Sequence, residues 1–277
     1  MDGTDSSAER LLELAQPAAG EHVADIGCGA GGSARALYER VGPRGSVLGI
    51  DISASLIAAA RERVHGVRFV AADAARHRFA ARGLDLVFSQ FGMTFFTDPV
   101  AAFGRFHGAL ASTGRIAFAC FGPITHNAWA DVVFGLAREL VPRWRPPPLD
   151  DRGPFAFHQR ERLGLVLDAA GFHDVRCVLH AMTERLGATP ADAVARVLAR
   201  PFIAASLATL EREARHELPA RLAAAFAAFA KGGAVIAPAA AWLVTARATA
   251  SPRRTARAYP SAAPSPRRPR RRRRARS

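Results

Sequence analysis

The stretch VADIGCGAGG, residues 23–32, sets four glycines and a cysteine in six successive positions directly behind a short apolar run that carries Asp25. The apolar run reads as a buried strand, and the helical pattern SARALYERV after it makes the glycines a strand-to-helix turn. Lacking Cβ atoms, Gly27, Gly29, Gly31 and Gly32, with Cys28 among them, let main chain approach a ligand closely, which points to a nucleoside-type cofactor. Gly27, Gly29 and Gly32 also satisfy Gly-x-Gly-x-x-Gly, and Asp51 follows at the end of a second apolar run, SVLGIDI. An NAD-dependent oxidoreductase is therefore one reading of the loop. Asp25 favours another. A carboxylate at this turn opposes a pyrophosphate but suits a ligand with an ammonium and a sulfonium, such as S-adenosylmethionine. Asp73, in FVAADAARH, ends a third apolar run and is placed to accept a hydrogen bond from an adenine amino group, with Ile52 and Ala74 flanking the ring. Taken alone, Asp51 serves as well to cap a helix at Ser53 as to bind a ribose; three acids ending three consecutive strands favour the cofactor.

From about residue 21 to 170, short β-branched or apolar runs alternate with helical patterns, as in a parallel sheet with crossover helices. The predicted strands are HVADI, SVLGIDI, VRFVAADA, LDLVFSQ and RIAFACF, followed by DVRCVLHAM from Asp174 and AAAWLVTARA from Ala239, seven in all. Ser53 is expected to cap a helix that buries Leu56, Ile57, Ala60 and Val64, and Asp98-Pro99 to start one that buries Val100, Phe103, Phe106 and Leu110. A stripe of Leu163, Val166, Leu167 and Ala170 runs up to Gly171, where a helix-ending glycine belongs. An alanine-rich segment over about 183–238 is predicted as a helical insertion between the last two strands, with helices over 189–199, 204–217 and 219–231. A second insertion covers 122–157. The expected organisation is one domain over 1–250 and an Arg/Pro-rich tail over 251–277 that cannot bury enough apolar surface to order itself.

The formal charge of +14 is concentrated in that tail, whose 11 arginines have no acid beside them. The preceding residues carry 27 basic against 24 acidic side chains, so the body of the protein offers no strongly basic surface. Nucleic acid is expected to bind at most non-specifically, through the tail and in a salt-sensitive way; the tail reads equally as an out-of-frame extension in a GC-rich gene. No apolar stretch reaches a membrane-spanning length, and the start MDGTDSSAERLLEL lacks the layout of a secretory signal, so a soluble cytoplasmic protein is expected. Cys28, Cys120 and Cys177 have neither disulfide nor metal-ligand spacing, and the nine histidines show no paired arrangement; no metal is expected.

VADIGCGAGG, LGIDIS, AADA and LDLVFSQFGMTFFTDPVAAFGRFHGALASTGRIAFACF together resemble the class I S-adenosylmethionine-dependent methyltransferases, over roughly residues 11–248. The likeness is nearest to the group similar to ubiquinone/menaquinone-biosynthesis methyltransferases, most of which act on small molecules. The resemblance implies a Rossmann-like α/β fold: a mostly parallel seven-stranded sheet with helices on both faces and an antiparallel last strand, around Trp242, inserted between two others. It implies that the glycine loop wraps the methionine and ribose, that Asp51 binds the ribose hydroxyls, that Asp73 reads the adenine, and that Ser89 to Phe91 lie beside the cofactor. The chain departs from the family in two places. About 22 residues precede the first strand, where members commonly have a longer helical region, and ASTGR replaces the usual Pro-Gly-Gly turn before the fifth strand.

Methyl transfer is a displacement at a sulfonium methyl, so alignment and desolvation can carry it, with a base required only for a protonated nucleophile. FGMTFF, residues 91–96, is expected to present apolar surface to a small acceptor. His126, in GPITHNAW, is the best-placed candidate base, while His107 and His158 read as structural; no catalytic residue is assigned. A nucleic-acid methyltransferase would show an Asn/Asp-Pro-Pro-aromatic signature after the fourth strand, and the nearest match, Asp98-Pro99-Val100, lies later and lacks the aromatic.

Overall fold

Parallel pairing of β-branched runs, two antiparallel additions and three apolar clusters organise the chain, whose computed structural model describes residues 4–146, 148–149 and 152–248. The expected disordered tail lies outside the described residues. In chain order, α1 (Thr4–Ala15) precedes β1 (His22–Ile26), α2 (Gly32–Val41), β2 (Ser46–Asp51), α3 (Ala54–Arg63), β3 (Arg68–Ala71) and β4 (Leu84–Gln90). A short 3-10 helix at Met93–Phe95 leads to α4 (Pro99–Ala109) and β5 (Leu110–Phe121). Another at Ile124–His126 leads to α5 (Ala128–Leu140), α6 (Arg160–Ala169) and β6 (Phe172–Gly187). Then come α7 (Pro190–Leu198), α8 (Pro201–Leu207), α9 (Arg212–Ala227), β7 (Ala230–Lys231) and β8 (Ala234–Ala248).

The sheet order is β3-β2-β1-β4-β5-β8-β6, with β7 paired to β8. β3, β2, β1, β4 and β5 are mutually parallel, and β8 runs antiparallel between β5 and β6. The Rossmann-like fold expected from the sequence is thus present, with the last strand inserted as the resemblance implied. The order reverses between β1 and β4, which leaves a crevice at their carboxyl ends where α/β proteins bind ligands.

Side chains alternate across the sheet, and each face feeds its own core. Ile116, Phe118 and Cys120 of β5 face a cluster with Phe103 and Phe106 of α4 and Leu163 and Leu167 of α6. Ala117 and Ala119 face the opposite cluster, with Leu11 of α1, Leu37 of α2 and Ile57 of α3. The predicted caps are observed: Ser53 Oγ accepts the Leu56 N–H at 3.3 Å, and Asp98 Oδ1 accepts that of Ala101 at 2.9 Å. Gly171, at φ +96°, follows α6 as expected.

Four details differ from the sequence reading. Leu56, expected in the α3 core, is 42% exposed, because Ile57 and Ala60 fill the buried stripe. β6 and β8 pair along a ribbon that reaches Gly187 and Val235, so the helical insertion occupies 188–233, not 183–238. The two-residue β7 adds an eighth strand to the seven expected. Pro219, read as a helix start, lies inside α9. Buried Ala214, Leu218, Leu222 and Phe226 form one unbroken stripe, and that packing outweighs the proline's lost hydrogen bond.

Arg115 ties the N-terminal helix to the sheet. Its guanidinium donates to the Ala15 carbonyl at 2.6 Å, to the Gln16 carbonyl at 2.7 Å, and to both Glu21 oxygens at 2.8 and 2.9 Å. Burial alone would raise the Glu21 pKa, but the hydrogen bonds and charge of Arg115 outweigh it and hold the carboxyl below its usual range. Both side chains are only 18% exposed, so removing one strands the other. Arg115→Ala is expected to cost about 2–3 kcal/mol and to lower the melting temperature by roughly 5 °C in a thermal scan.

Candidate active site

At the switch point two backbones touch. A Cβ on Gly27, at φ +71°, would lie 2.9 Å from the Cα of Gly92, and one on Gly92 would lie 2.7 Å from the Ile26 carbonyl oxygen. Only glycine fits at either position. Ser89 fastens the contact: it is fully buried, its hydroxyl donates to the Ile26 carbonyl at 2.6 Å, and it accepts the Gly92 N–H at 3.1 Å. Its hydroxyl thereby positions the two loops on either side of the crevice. Between them Phe91 takes φ +62°, a left-handed conformation uncommon for an aromatic residue, and donates its N–H to the Ala119 carbonyl at 2.9 Å.

The glycine loop spends its N–H groups internally. Gly27 and Cys28 donate to the Ile50 carbonyl at 2.7 and 3.1 Å, Gly31 to that of Cys28 at 2.9 Å, and Gly29 to Asp51 Oδ2 at 2.9 Å. The side chain of Cys28 is buried, and burial pushes its thiol up to about 12, so Cys28 can offer a ligand only main chain. Gly31 packs towards Phe69, Val64 and Ala60, whereas the side of Gly29 that would carry a Cβ is open. A pyrophosphate needs free N–H groups at such a loop, and here they are largely used.

The acids supply the opposite chemistry. Asp25 is fully buried; Oδ2 accepts the Ser33 hydroxyl at 2.6 Å and Oδ1 has no partner. Burial raises its pKa to about 7 against the lowering effect of Ser33, and the charge of Asp51 adds to the rise. Asp51 ends β2 and accepts the N–H groups of Gly29 and Ser53, one on each oxygen, which leaves lone pairs on both. Ile52 is 79% exposed beside it, an apolar surface without a protein neighbour to cover it. Asp73 accepts the Ala75 N–H at 2.9 Å and lies 3.6 Å from the Arg76 guanidinium, while Ala74 is buried under the turn. Asp25, Asp51 and Asp73 therefore end or follow three adjacent parallel strands, as the sequence suggested. An orphaned buried carboxylate, open main chain at Gly29 and an uncovered isoleucine fit a cationic nucleoside.

Beyond the loop, aromatic rings lead from β4 into the insertion. Phe91 packs on Phe121 with centroids 4.8 Å apart, Phe121 on Trp129 at 5.4 Å, and Trp129 on Phe155 at 5.2 Å. Arg200 lies 4.0 Å over the Trp129 ring and pairs with Glu184. Of FGMTFF, Met93 is fully buried in the core and Phe95 is 57% exposed. Asn127 bridges to the backbone of Ala240 in both directions, at 3.2 Å each, and is structural. His126, the candidate base, is exposed, and its ring Nδ1 lies 3.2 Å from the Thr125 hydroxyl. His158 holds the Phe155 carbonyl at 2.9 Å and is structural, as expected. The sequence reading did not find the Glu184–Arg200 pair, whose partners lie on different elements with nothing in their local pattern to mark them. Among the described residues no cluster could hold a metal, and no helix is long and apolar enough to cross a membrane.

Comparison with known proteins agrees with this geometry. Residues 23–114 match the methyltransferase domain family. Aklanonic acid methyltransferase DauC from Streptomyces is 31% identical over 186 residues, 60% of this chain and 81% of that protein. Nocamycin O-methyltransferase from Saccharothrix syringae is 34% identical over 184 residues, 61% of this chain and 65% of its own length. The structure of Haemonchus contortus phosphoethanolamine N-methyltransferase 2 in complex with S-adenosyl-L-methionine superposes with a TM-score of 0.51 at 18% identity, covering 88% of this chain and 52% of that one. The chain belongs to the methyltransferase family.

Asp25 would couple a cationic cofactor to pH. Because the folded carboxyl titrates near 7, well above its ordinary value of 3.8, the ligand-free fold holds a proton between these pH values that the unfolded chain does not. Its contribution to stability is full below about pH 4 and is lost as pH rises towards 7. Asp25→Asn is accordingly expected to melt several degrees above the wild type at pH 8 and close to it near pH 4.5. Cofactor affinity should move the other way: in the wild type it weakens as pH falls below about 7, and in the variant it is weak throughout. Thermal scans and calorimetric titrations across pH 5–8 check both.

Proposed function

We propose that the chain is a methyltransferase that passes a methyl group to a small acceptor with apolar or aromatic character, and that residues 1–250 form its methyltransferase domain. The observation that carries the reading is the buried, unpartnered Oδ1 of Asp25 at the foot of the glycine loop. When bound, S-adenosylmethionine supplies an electrophilic methyl group on a sulfonium. In this proposal Asp25 holds the ammonium end, and main chain at Gly27, Cys28, Gly29 and Gly31 passes around the methionine. Asp51 accepts from the ribose hydroxyls with the lone pairs that Gly29 and Ser53 leave over. Asp73 accepts from the adenine amino group, with Ile52 and Ala74 against the ring. Phe91 covers the side towards the acceptor, and Ser89 holds the loop that carries it.

The acceptor's class is supported by the aromatic series from Phe91 to Phe155 and by relatives named as an aklanonic acid methyltransferase and a nocamycin O-methyltransferase. The likeness to the ubiquinone/menaquinone group is kept in the same chemical sense, an apolar ring system as acceptor. We assign no general base. Exposed His126, whose imidazole meets the hydroxyl of neighbouring Thr125, is given no part in the chemistry. A cytoplasmic setting for the enzyme belongs to the same proposal, and the Arg-rich tail has no part in methyl transfer.

Calorimetric titration of the full chain tests the reading. S-adenosylmethionine should bind with a micromolar Kd, roughly −8 kcal/mol, and NAD should give no saturable heat. Asp51→Asn should weaken the interaction about tenfold, the scale of one charge-assisted hydrogen bond. A folded wild type that ignores S-adenosylmethionine, or binds NAD instead, would remove the assignment.

A further inference from the structure

The protein has three tryptophans, and two of their indole N–H groups are used inside the fold. Trp144 donates to the Thr209 hydroxyl at 3.1 Å and Trp242 to the His158 carbonyl at 3.0 Å. The third, Trp129, is 1% exposed, and its Nε1 has no hydrogen-bond partner among the described residues. A carboxyl oxygen beside it is in the same condition: Glu184 pairs with Arg200 through Oε1, while Oε2 is buried without a partner. Arg200 joins the two residues, since its guanidinium lies 4.0 Å over the Trp129 ring and holds the Glu184 carboxylate. A buried donor and a buried acceptor left open around one guanidinium cost the fold stability, and a group that both accepts and donates would satisfy them together.

Their position suits a methyl acceptor. β6 runs parallel to β5 on the far side of β8, with His180 and Phe121 both level with Ala241, so Glu184, four residues further on, stands about 13 Å beyond the carboxyl end of β5. By the alternation of the strand it shares a face with Met182, which packs in the cluster that Phe91 and Phe121 border. The rings of Phe91, Phe121 and Trp129 thus lead from the Gly27–Gly92 contact to the pair, and the first two are only partly buried. The side chains of Arg200 and Glu184 are 22% and 16% exposed, so the pair is reached from solvent. A hydroxyl on an aromatic ring meets each condition: its O–H donates to Glu184 Oε2, its oxygen accepts the Trp129 N–H, and its ring lies along the phenylalanines. A methyl ether lacks the donor, and a carboxylate would oppose the charge of Glu184.

We propose that Trp129 and Glu184 form a subsite that recognises a hydroxyl group on an aromatic methyl acceptor, with Arg200 as the positioning residue that orients both. The proposal rests on the methyltransferase reading above, but its binding chemistry is measurable without turnover. The probe is phenol, with anisole as the counterpart that lacks the donor, titrated into the isotope-labelled full chain and followed through the indole N–H resonances in NMR spectra. Loss of one resonance in Trp129→Phe identifies that of Trp129. Saturating phenol should move it downfield and leave those of Trp144 and Trp242, which already have partners, in place. Anisole should bind at least about tenfold more weakly than phenol. Glu184→Gln, which sets an amide where one carboxyl oxygen was, should cut that preference to less than about threefold, and Trp129→Phe should weaken phenol several-fold with anisole unaffected. The comparison of phenol with anisole on the wild type holds whether or not either variant folds. An unmoved Trp129 resonance at saturating phenol, equal affinity for anisole, or an undiminished preference in both variants overturns the subsite. S-adenosylhomocysteine binding by calorimetry separates the two levels. If it binds while phenol and anisole behave alike, the subsite alone falls; if it fails to bind while phenol behaves as expected, the methyltransferase reading falls and the hydroxyl site stands.

Discussion

The contact between Gly27 and Gly92 is the constraint around which the site is built. β1 and β4 are neighbours whose following chains turn in different directions, and the crevice between them exists only because the two main chains meet without side chains. Ser89 closes that meeting from below, bonding to one strand end and to the loop of the other. The strain follows from the same approach. Phe91 must turn through a left-handed conformation to bring Gly92 against Gly27, and it is held there by the Ala119 carbonyl and the ring of Phe121. One steric condition thus sets both the glycine loop and the aromatic face opposite it.

Asp25 shows what the site costs the ligand-free fold. A buried carboxylate satisfied on one oxygen only is a poor choice for stability, and its raised pKa records the strain of keeping it charged. Its placement makes sense as half of an interaction, with a cationic ligand as the other half. Asp51, by contrast, is satisfied without a ligand, since Gly29 and Ser53 already donate to it. In the proposed function the two carboxylates stand in different relations to the cofactor: Asp25 has an oxygen without a partner, whereas Asp51 already holds the loop through Gly29 and Ser53.

Much of the fold was legible because it follows from local patterns. The five parallel strands, the Ser53 and Asp98 caps and the Gly171 terminus each announce themselves within a few residues. The positions of the three acids were legible for the same reason, since each lies at or just past the carboxyl end of an apolar run in the sequence. What escaped depends on distant partners. Ser89 gives no sign in sequence that its hydroxyl donates to the Ile26 carbonyl and so joins the two strand ends. Pro219 reads as a boundary until the buried stripe from Ala214 to Phe226 is seen to run past it. Trp129 and Glu184 lie far apart in sequence on unrelated elements, and only the packed chain brings Arg200 against both.

The insertion has a core of its own. Trp129, Phe134, Val197, Leu222 and Phe226 form a cluster separate from the two that sandwich the sheet, and it hangs on the long ribbon of β6 and β8. Packing errors in that cluster need not propagate into the strands that carry the three acids. Substitutions can therefore rework the helices between β6 and β8 while the strands that carry the three acids stay unchanged, so that divergence in such a chain should concentrate after residue 121 and spare the glycine loop.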